Sequence, residues 1–359
     1  MATTPPAGGS PERRDRRSRS AFRGCLLGGA VGDALGAPIE FDSLAKIRAR
    51  HGRAGVTDLA DGSWPAGSIT DDTQMTLFTA EALIRGRGSL LERGLASASD
   101  VARGSYLRWL ATQGERVGAG VKTGWLVTVP ELHARRAPGN TCLSALSSGG
   151  RGTPDQPAND SKGCGGVMRV APVGLALEEP FPAASAFAAI THGHPTGHLA
   201  AAYLAQLVRE LRREVDLRDA ALRAAVPLRA ASGRGETLRA VEGALSLAAR
   251  ARGTPEEVES LGGGWVAEEA LAIGLFCALV ARDFAHGVLL AVNHGGDSDS
   301  TGSIAGNLLG LVAGEEGIPG RWLARLELRE VIAQVADDLW SCFGDAAAPP
   351  ADAERYPPS

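Results

Sequence analysis

Cysteine is scarce in this 359-residue sequence: Cys25, Cys142, Cys164, Cys277 and Cys342 are odd in number, scattered and without CxxC spacing. That argues against a disulfide framework or a cysteine zinc site and for a reducing, cytoplasmic setting. Aromatic residues make up only 5%, which disfavours a sheet sandwich built from β-branched and aromatic side chains. No window reaches the roughly 18 uninterrupted apolar residues of a membrane span, so no membrane partner is expected. Charge is nearly balanced, 37 Lys+Arg against 41 Asp+Glu for a net −4, and nothing in it indicates nucleic acid.

What is present is small and apolar. Hydrophobic residues are 44%, and Ala, Leu and Gly dominate, which favours closely packed helices. Leu199, Tyr203, Leu207, Val208 and Leu211 mark one face of a helix. The segment from Glu268 to Asp283 is apolar nearly all round and predicts a central buried helix. A third helix is expected over Thr70 to Gly86, with Met75, Phe78 and Leu83 inward. No alternation of β-branched residues persists over six positions. The fold expected is all-α, a single compact multi-helix domain over residues 21–345. Residues 1–20 read as a disordered basic tail and 346–359 as a disordered C-terminal tail. A signal-peptide reading of the N-terminus is opposed by Arg23 and Asp33, which interrupt the apolar run.

Two glycine series repeat every four residues: Gly24, Gly28, Gly32, Gly36 and Gly302, Gly306, Gly310, Gly314. Each forms a bare ridge on one helix face. Four glycines cost a helix about 4 kcal/mol against alanine, which close backbone packing between two helices would offset.

The stretch His294-Gly-Gly-Asp-Ser-Asp-Ser-Thr-Gly302 gathers two carboxylates and three hydroxyls at the head of a helix. A helix cap is the plainest reading. A calcium loop of EF-hand type fails because its twelfth position is Leu308, where a bidentate Glu is needed. The D-x-D-x-T pattern of aspartyl phosphatases should follow a buried strand, and NHGG stands there instead. A second cluster, Thr70-Asp71-Asp72-Thr73, opens another helix. Two oxygen-only clusters point to a shared site for hard cations such as Mg²⁺, Mn²⁺ or Ca²⁺. Asp71, Asp72, Asp297 and Asp299 carry −4, which two divalent ions would neutralise.

The blocks GCLLGGAVGDALGAPIEF, ITDDTQMTLFTAEAL, KGCGGVMRVAPVGL, THGHPTGHLAAAYLA, GGGWVAEEALAIGLFCAL and NHGGDSDSTGSIAGNLLG occur in this order between Phe22 and Gly314. In this the chain resembles the ADP-ribosylglycohydrolase family. The resemblance implies an all-α fold with a binuclear Mg²⁺ or Mn²⁺ cleft. The implied metal ligands are Thr70, Asp71, Asp72, Asp297, Asp299 and Ser300, which leaves Thr301 as a helix cap. It also implies Glu40 as a catalytic or gating carboxylate. Ser161, Lys162, Gly163, Cys164, Gly165, Gly166 and Met168 match the family's substrate loop, where a glycine-rich turn presents N–H groups to a diphosphate. His192 and His194 are implied near ribose or phosphate. Asp160 is a further acid or base candidate beside the loop. Cys164 has no partner arranged for nucleophilic work and reads as a small lining residue.

The activity implied is removal of ADP-ribose from a modified protein, arginine first, by a monomer that releases ADP-ribose. Asp71 or Glu40 would take the proton of the attacking water. The alternatives are another ADP-ribosyl linkage (serine, a nucleic-acid base, a free metabolite), a non-catalytic ADP-ribose-binding or immunity protein, or an unrelated metal-dependent phosphohydrolase.

Overall fold

The computed structural model describes residues 15–93, 95–118, 121, 123–149, 151–344 and 354–357. Among them there is no β-strand, only an isolated antiparallel bridge between Gly163 and Val266. Seven helices position the site: α1 (Arg19–Gly36), α2 (Asp71–Arg93), α3 (Pro195–Arg212), α4 (Ala267–Val280), α5 (Phe284–Val292), α6 (Ser298–Ala313) and α7 (Arg329–Phe343).

The antiparallel pair α1–α6 is the axis of the fold, and the glycine series explain it. A Cβ on Gly32 would lie 2.0 Å from Gly302 O, and one on Gly28 would lie 2.4 Å from Gly306 O. A Cβ on Gly310 would be as crowded, 1.9 Å from Gly24 O. No side chain fits at such separations, so the two backbones touch. Gly36 meets Ser298 and Asp299 in the same way, which sets the end of α1 against the start of α6. Gly314 ends the ridge: it still packs on Gly24, whose Cβ would lie 2.8 Å from Gly314 Cα, but it caps α6 with φ 69°, and its N–H donates to Gly310 O at 2.8 Å. A left-handed residue ending a helix is ordinary glycine work.

The other helices close around this pair. Met75, Phe78 and Leu83 of α2 are fully buried, as are Tyr203, Leu207, Val208 and Leu211 of α3. From Ala270 to Ala278, α4 is buried without a break. No helix among the described residues is long and apolar enough to cross a membrane.

The chain ends differ from their expectations where they are described. α1 begins at Arg19, inside the segment assigned to the tail, and Ser18 caps it by accepting from Ala21 N. Arg19 and Arg23 both pair with Asp337 of α7. Residues 1–14 lie outside the described residues, as do 345–353 and 358–359. Tyr356, in the other expected tail, is buried and donates to Asp338 Oδ2 at 2.9 Å.

Candidate metal-binding active site

The start of α2 is built by a residue on α1. Asp33, fully buried, accepts from the backbone N–H of Thr70 (3.0 Å) and of Thr73 (3.2 Å) and from Thr73 Oγ1 (2.5 Å). These are N–H groups that the first turn of a helix leaves unpaired. Asp33 therefore caps α2 from a neighbouring helix and ties it to the α1–α6 pair. Burial and the charge of Asp299 push its carboxyl up to about 7.

Behind the cap, Asp71 and Asp72 occupy the first turn of α2. Asp71 N donates to Arg136 O, and Asp71 Oδ2 accepts from Gly139 N at 3.2 Å. Arg136 is itself held by Glu327 and by Ile69 O. Ala137, which lines the cleft, sits in the left-handed region at φ 49°. Asp72 is buried, and its Oδ1 has no hydrogen-bond partner.

The start of α6 faces this turn. Asp297 N donates to Gly263 O at 2.8 Å, and Asp299 Oδ1 accepts from Ser300 N at 2.9 Å. Oxygens of Glu40, Asp297 and Asp299 converge within 4.8 Å of one another. Thr301 is not a cap: it lies inside α6, its hydroxyl 2.8 Å from Ala291 O and 2.9 Å from His294 Nε2. Burial and then the charge of Asp299 raise the carboxyls of Asp71, Asp72 and Asp297 well above the usual range. Burial raises Asp299 as well. Glu40 is pushed up to about 10, first by burial and then by Asp299 and Asp297. Desolvation is the largest influence on each of these acids, and no cationic side chain among the described residues is among the leading ones.

That deficit tests whether divalent cations fit. The donors are all hard oxygens, they converge, and one buried carboxylate oxygen is left unpartnered. Each feature is what a hard cation would relieve.

Opposite the acids runs the glycine loop. Cys164 N donates to Trp265 O, and Ala267 N to Lys162 O at 2.8 Å, which ties the loop to the start of α4. Cβ atoms on Gly165 and Gly166 would meet His192 Cε1 at 2.9 Å and Gly197 O at 3.2 Å, so the loop packs closely on His192 and the start of α3. Arg169, fully buried, clamps the loop through Gly165 O at 2.9 Å and Thr191 Oγ1 at 2.8 Å, and stacks over Tyr106.

Glu40, Asp71, Asp72, Asp297, Asp299 and Ser300 line one open cleft of about 200 Å³. Gly163, Cys164, Gly165, Met168 and His192 line it too. Burial and then Arg169 lower His192 to about 3, so its ring is neutral. Thr70 is buried behind the lining, its Oγ1 accepting from Asp72 N. Gly166 lies beneath the loop, and Ser161 accepts from Gly163 N.

Three other expected residues point elsewhere. Lys162 is engaged by Glu268 and Glu236. His194 caps α3, accepting from Thr196 N at 3.1 Å. Asp160 is exposed and outside the lining, whereas its neighbour Asn159 turns inward to hold Thr191 O, Ser161 N and Gly193 N. His198 of α3 is buried against Ser185.

Sequence reasoning missed Asp33, the 137–142 wall, and an aromatic pair at the mouth. There Phe41, 74% exposed, stacks on Trp265, with ring centroids 5.4 Å apart. An apolar ring directly after Glu40 was the available signal.

A helical scaffold that presents buried acids and a glycine loop to one open cleft has the layout of a hydrolase. The chain belongs to the ADP-ribosylglycohydrolase family, whose sequence pattern matches residues 12–348, and is an enzyme of that type. It is 29% identical to the ADP-ribosyl-dinitrogen reductase glycohydrolase of Rhodospirillum rubrum, over 87% of this chain and 93% of that protein. To an uncharacterized protein of Archaeoglobus fulgidus it is 30% identical, over 89% of this chain and 95% of the relative. An ADP-ribosylarginine hydrolase of Serratia proteamaculans is 24% identical over 91% of this chain and 80% of its own length. A solved ADP-ribosylglycohydrolase-related protein complex superposes with a TM-score of 0.65 at 31% identity, covering 91% of this chain and 99% of that one.

Proposed function

We propose that this protein hydrolyses the bond between C1″ of ADP-ribose and an arginine side chain of a modified protein. The observation that carries the reading is the cluster of buried acids, Glu40, Asp71, Asp72, Asp297 and Asp299, with which no cationic side chain among the described residues forms an ion pair. The arginine acceptor is supported by the likeness to the Serratia protein named as an ADP-ribosylarginine hydrolase.

Two Mg²⁺ or Mn²⁺ ions fit this donor set, held by Thr70, Asp71, Asp72, Asp297, Asp299 and Ser300. When bound, such ions supply positive charge that orients ribose hydroxyls and lowers the pKa of water. The chain's own residues do the rest. The Gly163–Gly166 turn allows close backbone approach to a diphosphate, and Arg169 keeps that turn in place. Neutral His192 offers a ring nitrogen without adding charge. Glu40 or Asp71 takes the proton of the attacking water as it adds to C1″. The C1″–N bond breaks with oxocarbenium character. The leaving nitrogen takes the bond's electron pair and the proton that the carboxylate received from water, so the guanidine departs as guanidinium, the form its pKa of about 12.5 or more favours.

The experiment is release of ADP-ribose from proteins labelled separately on arginine and on serine, with Mg²⁺, Mn²⁺ or chelator. Metal-dependent release from arginine alone is expected. Release from serine alone would move the acceptor, and binding of ADP-ribose without release from either would indicate a reader.

A further inference from the structure

Cys164 lies on the wall of the cleft, and its thiol donates to Asp297 Oδ2 at 2.8 Å. Ser300 Oγ is 3.7 Å from that sulfur and 3.8 Å from Met168 Sδ. Two sulfur atoms thus flank the carboxylate and hydroxyl on the α6 side of the acid cluster. Cys142 lines the same cleft without a hydrogen bond to the acids, and the unpartnered Oδ1 of buried Asp72 belongs to that lining as well. A hard ion and a thiophilic ion would not meet this site in the same way. Hard ions leave a thiol protonated, still donating to Asp297 and competing for its oxygen. Soft or borderline ions favour thiolate and thioether donors.

We propose that Cys164, with Asp297 and Met168, forms a mixed sulfur–oxygen site that captures a thiophilic divalent cation, Zn²⁺ or Cd²⁺, in place of the hard ion on the α6 side. This rests on the reading of the cleft as a cation site. On capture the S–H bond breaks, its proton leaves to solvent and a metal–sulfur bond forms. Nothing is oxidised or reduced. The occupied site excludes the hard ion from Asp297 and stops hydrolysis, so the cysteine makes the enzyme sensitive to zinc and cadmium.

The test uses Cd²⁺ and Mn²⁺ as probes on the full-length protein stripped of metal. Mn²⁺ binding is read by loss of its free-ion paramagnetic resonance signal, and Cd²⁺ binding by the ultraviolet absorption of a cadmium thiolate. Cd²⁺ should produce that absorption and release Mn²⁺. Cys164→Ser should abolish the absorption, still bind Mn²⁺, and need at least about 10-fold more Cd²⁺ to release it. Cys142→Ala, at the other cysteine on the wall, should keep the absorption. Absence of Mn²⁺ binding by the wild type would sink the cation reading itself. Mn²⁺ binding with no cadmium thiolate, or a thiolate that survives Cys164→Ser, would overturn the cysteine's role alone. Should Cys164→Ser not fold, X-ray absorption at the cadmium edge of the wild type decides: sulfur neighbours support the site, and oxygen alone refutes it.

Discussion

Asp33 Oδ2, on α1, accepts a 2.5 Å hydrogen bond from Thr73 Oγ1 on α2. Through this contact a helix that contributes none of the proposed metal ligands sets the position of two of them, Asp71 and Asp72. Removing it exposes its weight. Asp33→Ala leaves the N–H groups of Thr70 and Thr73 buried and unpaired, which should destabilise the fold by about 1–3 kcal/mol in urea unfolding. Mn²⁺ affinity should fall by about 10–100-fold, as expected for a residue that orients ligands. A variant with wild-type stability and affinity would show that α2 holds its start without this cap.

The glycine contacts predict opposite results for one chemical change. Gly32→Ala places a Cβ 2.0 Å from Gly302 O and should destabilise by about 1–3 kcal/mol through overpacking. Gly243→Ala, in the helix Gly235–Ala248 with nothing within 4 Å, should stabilise by about 0.5–1 kcal/mol. Thermal unfolding of the two variants side by side checks the pair, and equal shifts would contradict the backbone contact.

Much of this was legible in the sequence, and the limits have physical causes. The four-residue glycine spacing identified the α1–α6 contact because only backbone proximity offsets so many glycines. The two acidic helix starts were visible as local composition. Asp33 was not, since a lone acid in an apolar helix carries no mark of the helix it caps 37 residues on. Lys162 and Asp160 misled for a related reason. Proximity in sequence to a glycine loop does not fix direction: Glu236 and Glu268, from elsewhere in the chain, take Lys162, and it is Asn159 beside Asp160 that turns inward.

The metal-free protein should lose stability as pH rises. Asp33 is held at about 7 against an ordinary 3.8, and Glu40 at about 10 against 4.5. An acid raised on folding binds more protons folded than unfolded, so stability falls with pH between its unfolded and folded values. The melting temperature in chelator should therefore decline from about pH 4 through pH 7 and beyond. Added Mg²⁺ should flatten that decline. A chelated protein whose melting temperature rises over this range would contradict the clustering of the acids.

Divalent cations should bind the folded state and stabilise it by about 2.7 kcal/mol at 100 times the dissociation constant, read as a higher melting temperature. Asp71→Ala and Asp299→Ala should each lose this shift and the release of ADP-ribose together. Retention of full activity by either variant would remove that residue from the site.

The most direct measurement is anomalous diffraction from crystals soaked in Mn²⁺. Two manganese peaks are predicted between the starts of α2 and α6, with carboxylate oxygens of Asp71, Asp72, Asp297 and Asp299 in bonding contact. Peaks elsewhere, or none within reach of both helix starts, would contradict the claim that these two acidic turns are brought together to share metal.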